Sequence, residues 1–99
     1  MASGITYSVD EARDLLPIIR ATLLQVSMLR RAGDDGAGLQ ALIGHLDSLG
    51  VVVRDLDAGL VDIPTERDGE RVWLCWRLED PDLGWWHTSR EGFASRRPL

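Results

Sequence analysis

The chain contains no lysine; all eleven of its basic residues are arginine. That excludes a Schiff-base lysine and with it covalent anchoring of pyridoxal phosphate. It has one cysteine, which excludes an intramolecular disulfide and makes the cytoplasm the expected compartment. No apolar run approaches the about 20 residues of a membrane-spanning helix, and no basic-then-apolar leader opens the sequence. No membrane partner is therefore expected. Acidic residues outnumber basic ones, 16 to 11, for a net charge of −5, and a negative chain disfavours nucleic acid as a partner. Internal repeats, low-complexity tracts and close ligand pairs of the CxxC or HxxxH type are also missing. With 99 residues the expectation is a single domain, 1–99, able to build a modest core without staples.

What is present falls into two halves. In the first, residues 1–7 read as an extended lead-in with Ile5 and Tyr7 available to dock. Ser8-Val9-Asp10-Glu11 fits a capping box, and Asp10, Glu11 and Asp14 suit the positive end of a helix. Apolar residues recur at helical spacing from Ala12 through Leu15, Leu16, Ile19, Leu23, Val26 and Leu29, predicting a helix over about 9–31. Pro17 falls inside it and should bend it. Gly33 to Gly36 breaks the pattern. A second helix follows over about 37–49, with Leu39, Leu42, Ile43, Leu46 and Leu49 on one face and Gly50 as its stop. His45 lies at the edge of that apolar stripe and reads as a boundary residue. The two helices form a hairpin.

The second half holds all four tryptophans, the cysteine and the other histidine. Val51-Val52-Val53 is a β-branched run. Asp68-Gly69 is a two-residue turn of the type that needs φ > 0 at both positions. It pairs Asp62 with Cys75, Ile63 with Leu74 and Val61 with Trp76. A second connection over 79–83 carries Asp80-Pro81. If Leu78 and Gly84 close it, Cys75 pairs with His87, Arg77 with Trp85 and Trp76 with Trp86. Strands are thus expected over about 51–54, 60–66, 71–78 and 84–88, with an extended tail, 89–99, in which Phe93 is anchored. Alternation puts Val61, Ile63, Val72, Leu74, Trp76, Leu78 and Trp86 on one face, and Leu60, Asp62, Trp73, Cys75, Arg77, Trp85 and His87 on the other. The fold class is α+β: a two-helix hairpin packed on the apolar face of a three- or four-stranded antiparallel meander.

Several of these segments together resemble a bacterial family, the domain of unknown function 2203. They are Tyr7 with Glu11-Ala12 and Leu15-Leu16-Pro17, Arg54-Asp55-Leu56, Gly59 through Pro64, Leu74-Cys75-Trp76, Trp86-His87, Gly92-Phe93 and Arg96. The resemblance spans nearly the whole chain and is most specific in its second half. It implies a prokaryotic cytoplasmic protein, assigns no activity, and carries no catalytic residue to this chain.

The second sheet face is the candidate site: Asp62, Trp73, Cys75, Arg77, Trp85 and His87. Two tryptophans and an arginine on a face without helices over it are the makings of an interface, so a homodimer is expected, or a pocket for a small anionic or aromatic ligand. The alternative is an enzyme in which His87, on the neighbouring strand at a Cβ spacing of about 4.5–5.5 Å, activates Cys75. Asp62 lies two strand spacings of about 4.8 Å from His87, which places it beyond reach of the imidazole and breaks the order of a triad. The same separation counts against Asp62, Cys75 and His87 as zinc ligands. No metal and no cofactor is assigned. Asp55-Leu56-Asp57 begins like a calcium loop, but the glycine and closing glutamate are misplaced; solvated turn acids account for it better.

Overall fold

The computed structural model describes residues 4–34, 36–92 and 95–99. Ser8 caps helix α1 (Val9–Arg31), its hydroxyl accepting from Glu11 N–H while the Glu11 carboxylate accepts from Ser8 N–H. The helix runs on through Pro17 and ends where Gly33 takes φ +78°, with the Asp34 and Gly33 amides returned to the Leu29 and Arg30 carbonyls. Helix α2 (Ala37–Ser48) ends in the same way at Gly50. Among the described residues no helix is long and apolar enough to cross a membrane.

Five antiparallel strands follow, in sheet order β1 (Val52–Asp55), β2 (Leu60–Arg67), β3 (Glu70–Arg77), β4 (Trp85–His87) and β5 (Arg97–Pro98). The helices cover one face: Ala12, Leu16, Ile19 and Leu23 of α1 and Leu46 of α2 close on Val61, Ile63, Leu74 and Trp76. Val72 is buried as well, and Leu78 and Trp86 pack at the margin of this core. All seven residues assigned to that face by alternation are therefore on it. Tyr7 docks as expected, its hydroxyl donating to Leu49 O at 2.6 Å and its amide to Pro64 O at 2.9 Å. The second bond explains how a proline sits in β2. The backbone edge of Pro64 turns away from β3, so the missing N–H costs no ladder bond.

The β2–β3 register is the expected one, including Asp62 opposite Cys75, and Asp68 and Gly69 take φ +53° and +79°. Two expectations are corrected and a third is not tested. The sheet has five strands rather than three or four, because the tail returns to pair Arg97 with Trp86 and Pro98 with Trp85. The expected anchoring of Phe93 lies outside the described residues. The β3–β4 register is slipped by two residues: Cys75 faces Trp85, Trp73 faces His87 and Leu74 faces Trp86. Arg77 is paired with Leu60 and has no place opposite Trp85.

The slip has a local cause. Asp80 folds back on the end of β3, its carboxylate accepting from Arg77 N–H at 3.1 Å and its own amide donating to Arg77 O at 2.8 Å. Leu83 is then drawn into the core. Ladder pairing starts only at Trp85, after a seven-residue connection. A two-residue slip leaves every side chain on its face, since the alternation has a period of two.

Gly59 also sets geometry. At φ +64° it accepts a bond from Leu78 N–H, and a Cβ there would lie 2.7 Å from Leu78 Cβ. Nearby, the Asp55 carboxylate accepts from the Asp57 and Ala58 amides, the turn role expected for it.

Candidate functional site

The face away from the helices carries a buried polar cluster at its centre. Asp62, Cys75 and His87 are only 1%, 2% and 5% exposed, although all stand on the side that lacks helices. The segment after β4 supplies part of the cover: it turns back so that Thr88 O and Glu91 O lie 2.8 and 2.9 Å from His87 Nδ1. Thr88 and Glu91 also bond to each other, which closes that turn.

Asp62 and His87 meet directly, with Nε2 at 3.0 Å from both carboxylate oxygens. The expectation that they are too far apart is overturned. It rested on backbone spacing across β3. With the slipped register Asp62 lies opposite Cys75 and His87 opposite Trp73, so the imidazole reaches the carboxylate diagonally across β3. Arg54 completes the group, its Nε donating to Asp62 Oδ2 at 2.7 Å. It sits where the β1–β2 register shifts between Val53 and Asp55, a bulge that redirects a side chain at a sheet edge.

Both ring nitrogens of His87 face acceptors only: main-chain carbonyls at Nδ1 and a carboxylate at Nε2. A neutral imidazole has one donor and would leave one of these contacts unmade. Burial alone would lower the His87 pKa; the bonds to Thr88, to Asp62 and to Glu91 outweigh it and raise the value above normal. The acceptor-only surroundings and the raised pKa both favour the protonated form of His87, donating to the Asp62 carboxylate. Cys75 is shifted the other way for a nucleophile: burial first, then the charge of Asp62, push its thiol up to about 11. Such a thiol stays protonated near neutrality, and activation by His87 gains no support from this arrangement.

A pH dependence follows. A folded-state pKa raised above the ordinary value of about 6.5 stabilises the fold fully below that value, and the contribution is lost as pH rises through the folded-state pKa. In chelator, the urea midpoint should fall as pH is raised from about 6 upward, and His87→Gln should remove this slope. A wild-type midpoint flat or rising over that range would contradict the cationic assignment.

The other predicted residues are dispersed. Trp73 lies under Arg54 and Arg71, each 5.3 Å from the ring centroid, and Trp85 under Arg96 at 4.5 Å. Arg77 stands at the far end of β3, 3.6 Å from Glu79. On the opposite face Trp86 lies under Arg67 and Arg97, and Trp76 under Arg20. Each tryptophan thus has an arginine of the same chain over it. The one sequence signal for this is the coincidence of four tryptophans with an arginine-only basic set, since guanidinium planes stack on aromatic rings far better than ammonium groups do.

Beside the cluster opens a cavity of about 330 Å³, lined by Arg54, Leu60, Asp62, His87, Ser89, Arg90, Glu91 and Gly92. Sequence reasoning missed Arg54, Ser89, Arg90 and Glu91. Arg54 lies in the Arg54-Asp55-Leu56 segment of the resemblance but carries no role there, no motif marks the other three, and the four come together only through the bulge in β1 and the turn after β4.

A family model described as an uncharacterized conserved protein, DUF2203, matches residues 28–99. That range contains both sheet faces and every candidate site residue, but not the first turns of α1, whose Glu11-Ala12 and Leu15-Leu16-Pro17 contributed to the resemblance. No curated protein and no solved structure matches the chain.

Proposed function

Since the chain belongs to the DUF2203 family, described only as uncharacterised, we propose its function from the cavity: this is a binding domain for a small anionic ligand, seated between Arg54 and Arg90. The observation that carries this reading is a mismatch of paired and unpaired charge around the cavity. Its carboxylates are already engaged, Asp62 by His87 and Arg54, and Glu91 by Arg97 at 3.1 Å. Arg54 spends only Nε on Asp62 and lines the cavity, while Arg90, which lines it too, makes no ion pair among the described residues. Guanidinium forks match carboxylate and phosphate geometry. The volume is at the small end for ligand sites, so a ligand of a few heavy atoms is favoured over a nucleotide or cofactor.

Self-association through the tryptophan face has less to recommend it. Arg54, Arg71 and Arg96 would have to leave the rings of Trp73 and Trp85, or carry their charge into the interface.

The test is a thermal-shift and calorimetric titration with phosphate, citrate and benzoate in chelator, at ionic strength matched with chloride. At least one of these anions should stabilise the wild type beyond chloride. The Arg54→Gln/Arg90→Gln double variant should lose that affinity by roughly tenfold or more, the worth of one charged hydrogen bond. Equal response to all anions and chloride, or an unchanged response in the double variant, would remove the reading.

A further inference from the structure

Three donors of different kinds converge beside this cavity, which Asp62 and His87 line. The Asp62 carboxylate, the Cys75 sulfur and a ring nitrogen of His87 all lie within 4.8 Å of one another, and all three residues are buried. We infer that this cluster is a zinc site, with Asp62, Cys75 and His87 as its three protein ligands and its fourth position open to the cavity. The inference rests on the pocket described above being open, but not on that pocket binding an anion.

The donor set selects the metal class. Calcium and magnesium demand six or more oxygen ligands, of which this cluster supplies one carboxylate. A mixed N, S, O set suits zinc, and three protein ligands with an open position is the pattern of zinc sites that act on a bound molecule. The bonds around the donors also fit. His87 Nδ1–H donates to Thr88 O and Glu91 O, so Nε2 is the nitrogen presented to the cluster. Metal-bound histidines are held in this way, by a carbonyl or carboxylate on the other nitrogen. Arg54 holds Asp62 through Oδ2 and leaves Oδ1 for a metal.

The geometry needs little adjustment. Zinc–ligand bonds of about 2.0–2.3 Å place tetrahedral donors roughly 3.3–3.8 Å apart. His87 Nε2 and Asp62, at 3.0 Å, would part slightly, and no pair of donors has more than 4.8 Å to close from.

The experiment uses the full chain stripped with EDTA and dialysed free of it. Zn²⁺ is titrated in competition with a chromophoric chelator, and Co²⁺ serves as the spectroscopic probe. The expected result is one equivalent of Zn²⁺ bound with submicromolar affinity. Co²⁺ should give the intense d–d absorption of a four-coordinate ion and a sulfur-to-metal charge-transfer band. Cys75→Ser should lose the sulfur band, and His87→Gln should weaken Zn²⁺ at least as far as Arg54→Gln, expected to lose about 10–100-fold through loosening of Asp62. His45→Ala, at an exposed position on α2, should change nothing.

A wild type that takes up no stoichiometric zinc, or a cobalt spectrum without the sulfur band, overturns the site without reference to any variant. So does binding lost in His45→Ala but kept in Cys75→Ser. The two readings of the pocket fail separately. Anion binding in chelator with no zinc uptake removes the metal alone, and zinc uptake with no anion response removes the anion alone.

Discussion

Asp62→Ala is expected to lower the unfolding free energy of the metal-free protein by about 3–5 kcal/mol, the cost of leaving one member of a buried ion pair without its partner. Asp62 is 1% exposed and accepts from His87 at both oxygens. The Arg54 side chain is nearly half exposed, so its share of the loss is small; the buried imidazolium dominates. The pH dependence separates this from a simple cavity effect. In the wild type the His87 pKa is raised, so its stabilisation is greatest below about 6.5 and fades as pH rises. Without the carboxylate, burial is opposed only by the carbonyl bonds. The folded-state pKa drops, and less stability is gained as pH falls than in the wild type. The gap between wild type and variant should widen toward acid. Urea denaturation at about pH 6 and pH 8 would settle it, and a gap independent of pH would mean that the pair is not ionic.

Trp76→Ala should cost a similar about 3–5 kcal/mol, by a different route. Trp76 is fully buried between the helices and the sheet, and no water can refill the apolar hole left by an indole. Arg20 would also lose its platform. It lies 5.0 Å from the Trp76 ring while donating to Leu78 O at 2.8 Å and Asp80 O at 3.2 Å, bonds that hold the connection between β3 and β4. Trp76→Phe should be far milder than the volume change suggests. Among the described residues Trp76 Nε1 has no hydrogen-bond partner, and a buried unmet N–H costs about 1–3 kcal/mol, which phenylalanine does not incur. The same denaturation measurement at one pH compares the two. A phenylalanine variant as unstable as the alanine one would show that the indole N–H is satisfied and that shape alone matters.

The elements legible in the amino-acid order share one property: their determinants are contiguous. Ser8 and Glu11 are three residues apart, so the capping box and the start of α1 can be read directly. Asp68-Gly69 carries its own dihedral requirement, and a two-residue turn leaves one register for the strands on either side. Face assignment is equally secure, because neighbouring residues in a strand point to opposite sides whatever lies across the sheet. Asp62, Cys75 and His87 can therefore be placed on one face, and Val61, Ile63, Leu74 and Trp76 on the other.

The remaining features depend on contacts between residues far apart in the chain. The connection from Leu78 to Gly84 has no single closing geometry, and only Asp80 capping Arg77 and Leu83 entering the core decide where pairing resumes. Alternation cannot detect the resulting slip, because a shift of two residues preserves parity. The bulge that brings Arg54 to Asp62, the return of the tail as β5, and the stacking of arginines over the tryptophans leave no periodic trace. Which side of the sheet each polar residue occupies follows from residue order alone, since it is a property of the backbone repeat. That Asp62 and His87 are a buried pair rather than two separate residues is a decision of the packed chain. It turns on side-chain reach across a strand and on a cover drawn from the segment after β4, neither of which is encoded locally.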